Sequence, residues 1–517
     1  MRHRLPLVLL ACLTALCTAP AAHAAPGFTA TYQAIPGDGG TPLRAFVITP
    51  TGPGPFPLLV MPSSWGAPDL EYVGAGAKLA YQSGYEVISY TSRGFYDSGG
   101  QIDVAGPQTM SDVSDVIDWA LANTPADPTE IGVAGISYGG GQSLLALARD
   151  PRIKAVAAMD TWTDLAASLY PNRTVSSAGA DALLAVANLT GRPGPDLQQI
   201  EKDYAAGDIA DILPYTPIRS AATEIDAINA RHPAVMIAND WEDSLFPPAQ
   251  VVGFFNRLTG PKRIMLEPGD HATASVPGAL GLPDDVWDSA TLWFDHYLKG
   301  QQNGIDGQDS VQLKPANGDD WHGYPDWTAA TASGTTYYLS GSGFASGPAT
   351  GWSHRIAAGV DTVADSGVPL LSGALQGYAN IPVGVAIPLV ARGLAGVWSG
   401  PAYAGATVIT GAPHLHTTIT PSATNTSLFA YLYDVDQLGL GSLITDTPDT
   451  LLNSVPDKPI TLDVDLQPIS WTVPAGDHLA LVVDTVDPRY TSMSTVGSTV
   501  TFASPAGDPS WLRITGS

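Results

Sequence analysis

The run Gly135-Ile136-Ser137-Tyr138-Gly139 sets a serine between two glycines at the G-x-S-x-G spacing. That spacing suits a sharp strand-to-helix turn, which lifts a serine Oγ clear of the backbone while the glycines remove side chains that would collide. A serine hydroxyl attacks a carbonyl only when a base takes its proton and a carboxylate orients that base. Asp243 and His271 follow Ser137 in the order Ser, acid, His, each just beyond an apolar, strand-like run. Asp240 and Glu242 occupy the same loop and stay open as acids. Asp243 is preferred because Asp243-x-x-x-Pro247 starts the loop that leads into a helix near Pro248. His271 is the expected base. Among the others, His232 precedes a strand, His296 sits inside a helix, and His322, His354 and His478 fall in a β-rich region away from the serine. His414 and His416 share one strand face; two surface histidines are the simpler reading than a metal pair. The chemistry implied is acyl transfer through a serine, with no cofactor and no metal.

A tetrahedral oxyanion needs two positioned donors. One is the main-chain N–H of Tyr138, next after the serine. The other belongs to the loop Ser63-Ser64-Trp65-Gly66, as a hydroxyl (Ser63 first) or as a main-chain N–H. Trp65, Trp162 and Tyr170, with Tyr138, are candidate walls of an acyl pocket. A peptidase that recognises a free N-terminus would also need carboxylates aimed into that pocket, and Asp164 and Glu201 are candidates.

The elements that must hold these residues read clearly. Apolar strand runs fall at Ala45–Thr49, Leu58–Pro62, Glu86–Thr91, Ile131–Ile136, Ala155–Met159, Ala234–Ala238 and Arg263–Glu267. Several are continuously apolar, as strands covered on both faces are. Amphipathic helices at Ser111–Thr124 and Gln142–Arg149 alternate with them. This is the pattern of a doubly wound, mostly parallel sheet. Between about 161 and 230 the strands give way to helical, Pro-interrupted sequence, expected to form a cap inserted above the carboxyl ends of the sheet. From 301 to 517 short β-prone runs are punctuated by Gly, Pro, Asp and Asn, with no convincing amphipathic helix, which predicts an antiparallel β-sandwich. The expected division is 25–300 for the α/β domain and 301–517 for the β-domain.

With 517 residues, 44% hydrophobic and 14% charged, the chain has material for large cores. A formal net charge of −26 disfavours nucleic acid or an anionic membrane surface as partner. Arg2 and Arg4 precede an apolar run from Leu5 to Leu16, and Ala22-His23-Ala24 offers a small-x-small cleavage pattern. Residues 1–24 therefore read as a secretory signal, and the expected location is extracellular. The only two cysteines, Cys12 and Cys17, lie within it. Disulfides and thiol chemistry are then not expected in the mature chain.

Taken together, the residues Gly135–Gly140, the stretch Ser92-Arg93-Gly94-Phe95-Tyr96-Asp97-Ser98-Gly99-Gly100, the Asp243 loop and His271 resemble the X-prolyl dipeptidyl peptidase and cocaine-esterase type of α/β-hydrolase. Ser427–Asp436 and Thr472–Leu481 resemble the same family's jelly-roll C-terminal domain. The resemblance implies a serine hydrolase that cleaves esters or amides or releases X-Pro dipeptides from free N-termini, with a small ester or short peptide as substrate. Dipeptidyl-peptidase activity is the first expectation; an esterase without peptidase activity and a non-catalytic secreted binding protein are the alternatives. One departure stands out. The family places a tyrosine after the proline that ends the early strand, and its hydroxyl completes the oxyanion hole; here that position is Ser63.

Overall fold

The computed structural model describes residues 27–516. The expected signal, residues 1–24 with both cysteines, lies outside them. The first sheet has ten strands: β1 (Phe28–Gly37), β2 (Thr41–Pro50), β3 (Phe56–Pro62), β4 (Glu86–Tyr90), β5 (Ala126–Ile136), β6 (Ile153–Met159), β7 (Ala234–Asp240), β8 (Lys262–Glu267), β9 (Val311–Leu313) and β10 (His322–Tyr324). Their spatial order is β1-β2-β4-β3-β5-β6-β7-β8-β9-β10. From β4 across to β9 every pairing is parallel, while β1, β2 and β10 join antiparallel at the edges. The order jumps at β3, the reversal characteristic of a doubly wound sheet.

The central strands are buried along nearly their whole length, because helices cover both faces. The helix Pro107–Asn123 turns Val113, Val116, Ile117 and Ala120 inward, the spacing that one helical face requires. Proline at its first position fits a slot whose N–H would lack a partner in any case. The helix Tyr138–Arg149 leads straight out of β5 and is buried for ten consecutive residues.

The expected boundary at 300/301 puts β9 and β10 on the other side of the line from the sheet they complete. Both are three-residue strands in Gly- and Asp-rich sequence, too short to show a periodicity. Between β6 and β7 the chain forms helices at Leu165–Leu169, Ser177–Thr190, Pro195–Ala206, Ile209–Ile212 and Ile225–Asn229.

Beyond the first sheet the chain forms antiparallel sheets of seven, five and two strands, the sandwich that the sequence predicts. Here the sequence reading needs one correction. A helix, Ser372–Ala379, interrupts the β-domain. Its composition is Ser, Gly and Ala with few large apolar residues, so no helical stripe is visible. The helix is small-sided because it lies against the α/β domain. A methyl group added at Gly373 would stand 2.8 Å from Asp270 Cβ and 2.9 Å from Glu242 Cβ.

The two domains also meet at the cap. Arg173 Nη2 bonds Asp449 Oδ1 at 2.7 Å, Asn172 Nδ2 donates to the Pro448 carbonyl at 3.0 Å, and Thr174 and Thr450 hydroxyls lie 2.7 Å apart. All three partners belong to the strand Leu440–Leu451.

The loop after β4 is fixed from inside. Arg93 donates to both oxygens of Asp112 at 2.6 Å, and Asp112 also accepts the Asp38 N–H at 2.9 Å. Both side chains are almost wholly buried. Removing one partner strands the other charge in a dry site. Arg93→Ala is expected to lower the stability of the α/β domain by about 3–5 kcal/mol, read as an earlier urea midpoint. A midpoint within experimental error of wild type would show that the pair is not a structural tie.

Candidate active site

β5 ends at Ile136, and the chain then reverses into the helix Tyr138–Arg149 with Ser137 at φ 54°, ψ −118°. This is a region that L-residues seldom enter, and strain of this kind collects at functional sites. The turn is held by bonds from Ser137 N–H to the Met159 carbonyl (2.9 Å) and from Gly141 N–H and Thr161 hydroxyl to the Ser137 carbonyl (3.0 and 2.7 Å). The glycines are needed because backbones touch. A Cβ at Gly135 would lie 2.6 Å from Gly139 C, and one at Gly139 would lie 2.1 Å from the Pro62 carbonyl oxygen.

Ser137 Oγ lies 2.8 Å from His271 Nε2. His271 Nδ1 lies 3.0 and 3.2 Å from the two oxygens of Asp243. Asp243 Oδ1 also accepts the N–H groups of Leu245 (2.9 Å) and Phe246 (2.7 Å), so its orientation is locked by its own loop. The Phe246 ring stands edge-on to the imidazole at 5.0 Å. Strands β5, β7 and β8 thus deliver the serine, acid and histidine to one point at their carboxyl ends.

The acids left open by the sequence take different places. Asp240 Oδ2 accepts the Ala274 N–H at 3.3 Å, and Glu242 Oε2 accepts the Gly269 N–H at 3.2 Å. Both brace the segment that carries His271, and neither bonds its ring. Burial pushes the Glu242 carboxyl up to about 8.

Two residues escape the sequence reading. Asp270 Oδ1 accepts the N–H of His271 and the N–H of Ser244, each at 2.8 Å, and so ties the base loop to the acid loop. Its adjacency to His271 is visible in sequence; the reach to Ser244 is not. Asp160, at the end of β6, is buried with φ 47°, and neither of its oxygens has a hydrogen-bond partner among the described residues. Burial first, and the nearby charge of Asp243 second, push its pKa upward.

The loop after β3 differs from expectation. Ser63 is wholly buried; its N–H donates to Tyr90 O at 2.9 Å, and its hydroxyl accepts the Ser92 N–H at 3.1 Å. Its hydroxyl is engaged by the Ser92 main chain, and Ser63 is not among the residues that line the cavity beside Ser137, so the expected hydroxyl donor is corrected. Ser64 is engaged as well, through its N–H (2.7 Å) and hydroxyl (2.5 Å) to Glu71, with a further bond to the Ile136 carbonyl at 2.9 Å. Burial pushes Glu71 up to about 7. Trp65 is the member of this loop that reaches the cavity beside Ser137.

That cavity holds about 150 Å³ and opens against Ser137. Trp65, Trp162 and Tyr170 all line it, as does Tyr138. Asp164 and Glu201 do not: Asp164 caps its own helix through the Ala167 N–H (3.0 Å), and Glu201 accepts from Asn188 (3.2 Å). On the β-domain surface His414 and His416 bond carboxylates, His414 Nδ1 to Asp465 at 2.7 Å and His416 Nε2 to Asp508 at 2.8 Å.

A nucleophile elbow on a doubly wound sheet, a helical cap and an appended antiparallel sandwich define a two-domain α/β-hydrolase. Residues 38–273 match the family model described as X-Pro dipeptidyl-peptidase (S15 family), and residues 299–507 match its C-terminal non-catalytic domain. The chain belongs to the X-Pro dipeptidyl-peptidase and cocaine-esterase family of serine hydrolases. It is 23% identical over 371 residues to cocaine esterase from Rhodococcus sp. (strain MB1 Bresler), covering 60% of this chain and 62% of that one. The match thus spans less than two thirds of that relative's length. Among solved structures, an α-amino acid ester hydrolase superposes with a TM-score of 0.72 at 15% identity, over 98% of this chain and 100% of the other. An aminopeptidase from a marine sediment Thaumarchaeota archaeon superposes with a TM-score of 0.73 at 14% identity, over 95% and 96%. At such identities the likeness speaks for the fold.

Burial, the largest single influence on His271, pulls its pKa down. The charge of Asp243 and its hydrogen bond, joined by Asp160 and Asp270, outweigh burial and leave the pKa above the ordinary histidine value. Asp243→Asn removes the largest upward influence. The His271 ring is therefore expected to titrate at lower pH in the variant, as followed by its ring-proton NMR shifts. An unmoved titration would mean that Asp243 does not govern the imidazole.

Proposed function

We propose that this chain is a serine hydrolase that cleaves carboxylic esters, or the related amide bond, through an acyl-enzyme. The observation that carries the reading is the unbroken bond chain from Ser137 Oγ to His271 Nε2 (2.8 Å) and from His271 Nδ1 to Asp243 (3.0 Å). His271 takes the Ser137 proton as Oγ bonds to the substrate carbonyl carbon. Asp243 holds the ring with Nε2 toward the serine and stabilises the imidazolium that forms. The oxyanion is held by the Tyr138 N–H and, from the facing loop, by the main-chain N–H of Trp65 or Gly66, since the N–H groups of Ser63 and Ser64 are bonded elsewhere. The tetrahedral adduct expels the alcohol or amine, which leaves with the proton from His271. Water then attacks the acyl-enzyme with His271 again as base, giving the free acid and restoring Ser137.

The N-terminal pattern of Arg2, Arg4, Leu5–Leu16 and Ala22-His23-Ala24 supports export of the mature chain. X-Pro dipeptidyl-peptidase activity, the release of an X-Pro dipeptide from a free N-terminus, is the second reading, favoured by the description of the matching family model.

Ser137→Ala is expected to cut turnover of p-nitrophenyl butyrate by about 10⁴-fold or more with the fold intact by circular dichroism. Retention of wild-type turnover would exclude Ser137 as nucleophile. Asp243→Asn is expected to cost about 10⁴-fold in kcat. Because the neutral imidazole is the active base, activity in the wild type falls as pH drops through the raised His271 pKa. The acid limb of kcat/KM moves to lower pH in the variant. A coincident limb in both proteins would argue that another group serves as base.

A further inference from the structure

We infer that the acyl group this enzyme accepts is uncharged and apolar, of roughly four to six carbons, and that a free α-ammonium on the acyl group is excluded. The inference rests on the serine-hydrolase reading above and names its substrate class. The cavity beside Ser137 is walled by Leu165, Leu169, Leu183, Leu184, Ile212 and Leu213, together with the aromatic residues already named. No aspartate or glutamate is among its described lining residues. The one charged residue on the wall is Arg219, a cation that is itself fully buried and bonded to Asp196 at 2.6 Å and to the Asp103 carbonyl at 2.9 Å. The cap carboxylates that could have met an ammonium, Asp164 and Glu201, are turned to main-chain and amide partners outside the cavity. The buried acids near the histidine, Asp160, Asp240, Glu242 and Asp270, are likewise absent from its wall.

An ammonium entering this chamber would give up water and find no anion, with a guanidinium on the same wall. An alkyl chain gives up only unfavourable hydration. A cavity of about 150 Å³ lined by aliphatic and aromatic side chains is the size that holds a benzene ring. That volume sets the chain-length limit.

The deciding measurement compares two substrates with one leaving group and one carbon skeleton: p-nitrophenyl hexanoate and the p-nitrophenyl ester of L-norleucine. Assays run at pH 6, where the amine is protonated, with spontaneous hydrolysis subtracted. The expected kcat/KM for the norleucine ester is lower by about 100-fold or more. Equal rates, or a preference for the norleucine ester, overturn the inference. Ala180 also lines the cavity, and Ala180→Phe fills it. The hexanoate-to-acetate ratio of kcat/KM is expected to fall at least tenfold in that variant, and an unchanged ratio overturns the placement of the acyl chain. Ser137→Ala runs in parallel. Full turnover of both esters by that variant sinks the serine-hydrolase reading itself, whereas Ser137-dependent preference for the norleucine ester sinks the acyl-group inference alone.

Discussion

Everything in the active site depends on the turn at Ser137. One residue holds a left-handed backbone so that its hydroxyl stands above the sheet, and the surrounding structure pays no steric penalty only because glycines flank it. Gly135 packs on Gly139, Gly139 on the Pro62 carbonyl, and Gly141 on the Trp162 ring. These contacts join β3, β5 and the first cap residues at a single point. A strained conformation persists only when its neighbours over-determine it, and here the over-determination is backbone against backbone. The loop after β3 is therefore registered against the serine by the same contact that makes Gly139 necessary.

A second layer holds the histidine. Four carboxylates, Asp240, Glu242, Asp243 and Asp270, surround its segment, and only Asp243 bonds the ring. The others receive main-chain N–H groups. Burial raises the pKa values of Asp240, Glu242 and Asp270, which lessens the mutual repulsion that full ionisation would bring. The helix Ser372–Ala379 closes the layer from the β-domain side, with glycines where it approaches Asp270 and Pro268 most closely. The second domain thus backs the catalytic loops directly.

Much of this was legible in the chain. The elbow shows as a motif because glycine spacing is a steric necessity, and the central strands show because burial on both faces makes them continuously apolar. What stayed hidden has physical causes. β1 is a largely exposed edge strand with polar alternation and a proline, so it carries little apolar signal. β9 and β10 are too short for any period. Ser63 sits at the right distance from Pro62 in sequence, but its hydroxyl is engaged by the main chain of Ser92, which lies in another loop. Asp270 is next to His271 in the chain, yet its bond to Ser244 exists only after two loops have met. Residues that act through main-chain N–H groups leave no mark in residue type.

The tether between Asn172–Thr174 and the strand Leu440–Leu451 has a consequence for how such enzymes diversify. Tyr170 and Val175, on either side of the tethered residues, form part of the cavity wall, and Val175 accepts the Thr491 N–H at 2.9 Å. The dimensions of the acyl chamber are accordingly set in part by residues of the β-domain, far from the cap along the chain. Drift in the sandwich can retune the chamber without touching the serine, acid or histidine, and a cap grafted without its matching sandwich inherits a chamber of different shape. Cap and sandwich are in that sense one heritable unit.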